Sequence, residues 1–273
     1  MAKRIFITGT SKGFGRIWAE AALNRGDKVI ATARNLSDIQ DLNEKYGEAV
    51  LTLSLDVTDR NACLAAVKKA MQHFNGIDVL ISNAGYGHFG CIEEINENDA
   101  RSQIETNVFG SLWMIQAVLP VMRQQQSGHI LQVSSIGGLL AFPMLGIYHA
   151  SKWAIEGICE SLNAEVQAFG IKVTLIEPGG YATDWGTNSA VHSRPIEAYH
   201  ALREAMGQRS QDSANMIGNP GATAEAILKV IDDANPPLRL LLGKFVLQMI
   251  ESTYMQRLET WKNWEKVSEA AQN

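Results

Sequence analysis

Seven short apolar runs separated by stretches of helical periodicity set the tightest limit on how this 273-residue chain can fold. The runs Arg4–Thr8, Lys28–Ala33, Val50–Leu55, Asp78–Ser82, His129–Ser134, Lys172–Glu177 and Leu238–Leu242 read as strands. Strands alternating with helices require right-handed crossovers, and these build a parallel sheet covered on both faces. The expected fold is therefore α/β, a doubly wound parallel seven-stranded sheet. A hydrophobic content of 46% supplies a large core and excludes disorder. The length fits one open α/β unit, so a single domain over 1–273 is expected. The irregular section from Gly179 to Pro220 reads as a lid or binding segment, a substrate loop over about 180–220.

With 24 basic and 29 acidic residues interspersed, the net charge of -5 gives no electrostatic footprint for nucleic acid. Cys63, Cys91 and Cys159 are odd in number and widely spaced, which argues against a disulfide scaffold or a metal site and for a reducing, cytoplasmic location. The apolar run Ile5–Ile7 after Lys3 and Arg4 is too short for a signal peptide. The segment Gln124–Ser151 lacks charged side chains, yet polar residues and Pro143 interrupt it throughout, so no membrane span is expected.

The first strand runs into Thr8-Gly9-Thr10-Ser11-Lys12-Gly13-Phe14-Gly15 and then a helix. Glycines there allow a tight turn that brings backbone N–H groups to a pyrophosphate at a helix N-terminus, although turns and caps also use glycine. The second strand ends Ala33-Arg34, with no acid to hold a ribose 2′-hydroxyl. Arg34, with Lys12 as a second cation, suits a 2′-phosphate instead, so NADP(H) is expected over NAD(H). Asp56, followed by Val57, is placed to accept from an adenine amino group or to cap the helix that begins near Asp59. Asn83-Ala84-Gly85 closes the fourth strand, at the sheet end where such folds bind ligands, although Asn83 is also a common turn residue.

Tyr148 and Lys152 lie four apart on one helical face, Ser135 ends the fifth strand, and Asn107 sits in a helical segment between core residues. These residues, with the Thr8–Gly15 loop, Asp56, Asn83-Ala84-Gly85 and Pro178-Gly179 followed by Thr183, resemble the short-chain dehydrogenase/reductase superfamily in order and spacing. The resemblance covers nearly the whole chain, and the segment from Ser135 to Leu162 looks most like the hydroxysteroid and retinol dehydrogenase branch. It implies a Rossmann-type fold and a catalytic tetrad of Asn107, Ser135, Tyr148 and Lys152. A lysine cation stabilises the phenolate of a tyrosine that is otherwise a poor acid-base group at neutral pH. Tyr148 would then exchange a proton with the substrate oxygen, which Ser135 would hydrogen-bond. By the same resemblance Lys152 also binds the nicotinamide ribose, Asn107 holds a water that links Lys152 to solvent, and Pro178, Gly179 and Thr183 contact the carboxamide end.

Leu140, Phe142, Pro143 and Leu145, with Tyr86, Phe89, Tyr181 and Trp185, are candidates for the substrate wall, each equally able to be ordinary core. Such a wall favours an apolar or aromatic ketone, aldehyde or alcohol, and the expected function is reduction of such a carbonyl. A nucleotide-sensing binding module and a non-redox lyase or epimerase are the alternatives. An amphipathic C-terminal helix over about 244–268 balances Lys244, Arg257, Lys262 and Lys266 against Glu251, Glu259, Glu265 and Glu269. It is expected to pack on its own domain or on a sister subunit rather than on a membrane. The resemblance implies a homodimer or homotetramer.

Overall fold

A computed structural model describes residues 2–186, 189–212 and 217–272. In chain order, β1 (Arg4–Thr8) leads into α1 (Gly13–Arg25), β2 (Lys28–Ala33), α2 (Gln40–Tyr46), β3 (Val50–Ser54) and α3 (Arg60–Phe74). There follow β4 (Val79–Ser82), the short β5 (His88–Phe89), α4 (Glu97–Ile104), α5 (Gly110–Gln125), β6 (Gly128–Val133) and α6 (Gly146–Val166). The chain then forms β7 (Ile171–Pro178), the short β8 (Val191–His192), α7 (His200–Asp212), α8 (Thr223–Asp232), β9 (Arg239–Leu242), α9 (Val246–Asn263) and α10 (Glu265–Ala270).

Seven parallel strands pair in the order β3-β2-β1-β4-β6-β7-β9. Each lies within one residue of the bounds expected from sequence. The period-two pleat sends Phe6 of β1 into a core shared with α3, α5 and α6. Ile5 and Ile7 go to the other face, beneath α1 and α8. Both faces are thus buried, which is why the strands read as continuous apolar runs rather than alternating ones.

One expectation needs correction. The 180–220 section, described here except at 187–188 and 213–216, carries ordered elements. β8 pairs in parallel with β5, His88 opposite Val191 and Phe89 opposite His192. α7 is tied back to the domain by its Arg203, which bonds the Glu94 carboxylate. That carboxylate also accepts from Ile196 N–H at 2.9 Å and Cys91 N–H at 2.7 Å. Charged and polar anchors of this kind leave no hydrophobic periodicity to read. The C-terminal helix packs on its own domain along its first three turns, as far as Arg257, whose Nη1 donates to the Leu139 carbonyl at 3.0 Å. Val246 is buried, and Met249 and Ile250 lie against Ile136, Leu139 and Leu140. Leu247 on the outer side of the first turn, and Leu258, Trp261 and Trp264 further along, are exposed.

Candidate active site

The strand order reverses between β1 and β4, and the crevice at their carboxyl ends is where open α/β sheets take ligands. The glycine turn sits there. Gly9 holds φ at +72°, and a Cβ on Gly15 would strike the Gly9 carbonyl, so the turn cannot close with larger residues. Asn83 fastens it: its side-chain amide donates to the Thr8 and Gly9 carbonyls at 2.9 and 3.0 Å. Thr8 Oγ1 accepts from the N–H groups of Asn83 and Ala84. Asn83 thus builds the cradle rather than projecting from it. At the N-terminus of α1, Lys12 makes no side-chain capping bond and the first turn holds no acid. Uncapped amides at a positive helix end fit a pyrophosphate.

Arg34 is exposed at the end of β2, with no ion-pair partner among the described residues. Lys12, expected beside it, instead faces Asp184 at 3.6 Å. Asp56 does not cap α3. Asp59 does, accepting from Asn61 and Ala62 N–H, while Asp56 Oδ1 accepts from the Thr58 N–H and hydroxyl. Asp56 stays exposed, and the buried Val57 packs against Gly110. Gly85 lies beside the Asn107 amide. Gly179 N–H donates to Leu242 C=O at 2.9 Å, and Thr183 Oγ1 accepts from Trp185 N–H at 3.4 Å, so the segment after β7 is held as a formed turn. Ser11 lies in the turn itself, Gly13 opens α1, and Phe14 stacks on Trp18 with ring centroids 5.1 Å apart.

Ser135, Tyr148 and Lys152 converge above the ends of β6 and β7. Tyr148 is 6% and Lys152 7% exposed, far below the usual state of a lysine. Burial pushes the Tyr148 phenol up to about 12, opposed by the hydrogen bond with the Ser135 hydroxyl. Burial brings the Lys152 ammonium down to about 8, opposed by the Glu156 carboxylate one turn along α6. Lys152 Nζ donates to the Val133 carbonyl at 2.8 Å and stands 5.8 Å from the centroid of the Tyr148 ring. Asn107 lies in a π-helical turn, Glu105–Phe109, between α4 and α5. Its amide donates to Tyr86 C=O and Ser151 Oγ, both at 3.0 Å, and accepts from Tyr86 N–H at 3.1 Å. The Asn107 side chain therefore joins the loop after β4 to α6.

Of the expected substrate wall, Trp185 meets Tyr148 with ring centroids 4.9 Å apart and Phe89 at 5.3 Å. A Cβ on Gly87 would fall 2.6 Å from the indole. Leu140 and Phe142 join the small core under α9, Pro143 is exposed, and Leu145 precedes the first turn of α6. Tyr181 is turned elsewhere: it packs edge-on to Phe14 at 5.3 Å, beside the glycine turn.

Sequence reading missed His149, whose ring bridges Gly137 and Phe142, and it missed the carboxylates of Glu156 and Glu177 around Arg239. Glu177 left one signal, a charge inside a strand whose two faces are both buried.

A nucleotide-type sheet with an open glycine turn and a buried tyrosine–lysine pair beside it defines an NAD(P)-dependent dehydrogenase or reductase. A family model described as short chain dehydrogenase matches residues 3–193, and the chain belongs to that family. It is 45% identical over 245 residues to Oxidoreductase BOA17 of Botryotinia fuckeliana, covering 89% of each chain. It is 33% identical to human 17-beta-hydroxysteroid dehydrogenase type 1, covering 90% of this chain and 79% of that one. A short-chain dehydrogenase from Streptomyces avermitilis superposes with a TM-score of 0.92 at 37% identity, over 99% of this chain and 98% of that one. ElxO, at 26% identity and a TM-score of 0.76 over 91% of this chain and 100% of its own, was solved with NADP. A Burkholderia phymatum short-chain dehydrogenase/reductase, at 24% identity and a TM-score of 0.80 over 93% and 95%, was solved with NAD. Among the described residues no helix is long and apolar enough to cross a membrane.

Proposed function

We propose that the chain is an NADP(H)-dependent reductase of apolar or aromatic ketones and aldehydes, working in the cytoplasm. The observation that carries this reading is the convergence of the partly buried Ser135 with the buried Tyr148 and Lys152 at the carboxyl ends of the strands. NADP(H), when bound, supplies or takes up the hydride. Tyr148, a phenol that burial keeps firmly protonated at neutral pH, gives its proton to the carbonyl oxygen, or takes one back in the reverse direction. Ser135 hydrogen-bonds the same oxygen and fixes its direction. Lys152 stabilises the phenolate that Tyr148 leaves behind, and with Tyr148 it holds the nicotinamide ribose. Asn107 ties the loop after β4 to α6 and lies on the route by which Lys152 exchanges protons with solvent.

The turn Gly9, Ser11, Lys12, Gly13, Phe14 and Gly15 holds the pyrophosphate. Asp56 and Val57 take the adenine, Asn83, Ala84 and Gly85 floor the crevice, and Pro178, Gly179 and Thr183 take the carboxamide. Arg34 selects the 2′-phosphate. Trp185 and Phe89 give the substrate an aromatic wall, which suits a hydrophobic carbonyl better than a sugar. The purified protein, given a panel of ketones and aldehydes with NADPH or NADH, is expected to consume NADPH with the hydrophobic members. No turnover across the panel, or turnover confined to sugars, overturns the reading.

A shallow groove of about 640 Å³ between α5 and α6, lined by Leu112, Gln116, Leu119, Trp153 and Ile158, supports the expected homodimer or homotetramer. Trp153 is 43% exposed on that face, a large apolar side chain that a partner copy would cover. Light scattering that returns a monomer mass would remove this part of the proposal.

A further inference from the structure

His149 follows Tyr148 directly in α6 and is only 4% exposed. Its ring is engaged wholly with the segment that leads from Ser135 back to the helix. Nδ1 lies 2.9 Å from the Gly137 carbonyl, and Nε2 lies 2.9 Å from the Phe142 amide nitrogen. A carbonyl only accepts and an amide N–H only donates, so the two contacts fix one state of the ring: neutral, with its proton on Nδ1. Burial holds the imidazole below its ordinary range and favours that state. The fit at the first contact is close, since a Cβ on Gly137 would come within 2.7 Å of Nδ1.

Each end of the ring leads to a part of the site. Gly137 N–H donates to Ser135 Oγ at 3.0 Å, and Gly138 N–H donates to the Ser135 carbonyl at 2.8 Å. Holding the Gly137 carbonyl therefore holds the turn that aims the serine hydroxyl. The other end fixes Phe142, whose ring centroid is 5.6 Å from that of His149 and which packs with Leu139 and Leu140 beneath α9.

We propose that His149 is a positioning residue: its Nδ1–H form locks the 135–142 turn, directing the Ser135 hydroxyl through Gly137 and, through Phe142, the 139–142 segment that leads back to Tyr148. The inference rests on Ser135 and Tyr148 contacting the reacting oxygen, as assigned above.

Three substitutions separate the two ends. His149→Leu removes both bonds at similar volume and leaves a buried carbonyl and a buried amide unpaired. The expected loss in kcat/KM for a carbonyl substrate is about tenfold or more, with NADPH affinity unchanged. His149→Asn places an amide N–H where Nδ1–H stood, and is expected to restore kcat while KM stays high. His149→Gln places an amide oxygen where Nε2 stood, and is expected to restore KM while kcat stays low. A purely structural histidine would instead give losses that follow the melting temperature whichever end is restored. That pattern overturns the proposal, as does activity within about twofold of the parent in all three variants. If His149→Leu does not fold, the opposite kcat and KM signatures of the Asn and Gln variants decide the question. Tyr148→Phe is measured alongside. Turnover in that variant would overturn the assignment beneath the proposal, whereas an inactive Tyr148→Phe with unaffected His149 variants overturns the positioning role alone.

Discussion

Tyr148 and Lys152 lie one helical turn apart, with the ammonium nitrogen 5.8 Å from the phenol ring centroid and both side chains almost wholly buried. Removing the phenol oxygen alone should therefore stop the reaction without unfolding the site. Tyr148→Phe is expected to lose turnover by at least about a thousandfold while keeping NADPH affinity, because the ring still packs against Trp185. Steady-state rates with fluorescence titration of NADPH check both halves. Turnover within about tenfold of the parent would remove Tyr148 as the proton donor.

Lys152 carries a pH prediction with a defined sign. Its ammonium is brought down to about 8, so it is charged below that pH and loses its proton above it. Reductive kcat/KM should be level at neutral pH and fall above about pH 8. The Glu156 carboxylate opposes the shift, so Glu156→Gln should move the fall to lower pH. Identical alkaline limbs in parent and variant would show that Lys152 does not set the profile.

Arg34 should discriminate between cofactors. A charge-assisted contact is worth roughly 1.5 to 3 kcal/mol, or about 10- to 150-fold when only the phosphorylated cofactor can use it. Arg34→Ala is expected to raise KM for NADPH by that order and to leave NADH nearly unchanged. Adding Ala33→Asp should reverse the preference. Equal losses with both cofactors, measured at fixed ionic strength, would show that Arg34 does not read the phosphate.

Beneath the site, Arg239 Nε stands 3.0 Å from Glu156 and 3.4 Å from the fully buried Glu177. Burial, together with the Glu156 charge, raises the Glu177 carboxyl to about 8, with Arg239 opposing. Below the ordinary value of 4.5 both folded and unfolded chains hold this proton, and between there and 8 only the folded chain keeps it. The group therefore costs increasing stability as pH rises through that window. Glu177→Gln should gain on the parent in melting temperature as pH rises from 5 to 9. Arg239→Met, which strands the carboxylates, should cost about 3 kcal/mol. Parallel melting curves for Glu177→Gln and parent across that range would contradict the assignment.

The Arg203–Glu94 pair anchors α7 to the loop after β5. The Arg203 hydrogen bond and the Ile196 N–H hold the Glu94 carboxyl at about 2, so its contribution is full above pH 4.5 and is lost only as pH falls toward 2. Arg203→Ala is expected to speed limited proteolysis between β8 and α7 and to raise the substrate KM, with kcat much less affected. An unchanged cleavage rate would show that the segment is held by other contacts.

Local chemistry determined what the sequence could disclose by itself. The Ile5-Phe6-Ile7 run, the glycine turn and the four-residue spacing of Tyr148 and Lys152 each report on their own strand, turn or helix face, and a short window contains them whole. Segments far apart in the chain meet only through the register of the sheet and the path of the loops, and those contacts were decided by the tertiary structure. It turned Tyr181 toward Phe14 and Lys12 toward Asp184, and it engaged the His149 ring with Gly137 and Phe142. It also left Trp261 and Trp264 exposed, although they continue the helical periodicity that begins with Val246 and Ile250. Periodicity shows that a helix has an apolar face; what lies opposite that face depends on where the rest of the chain has gone.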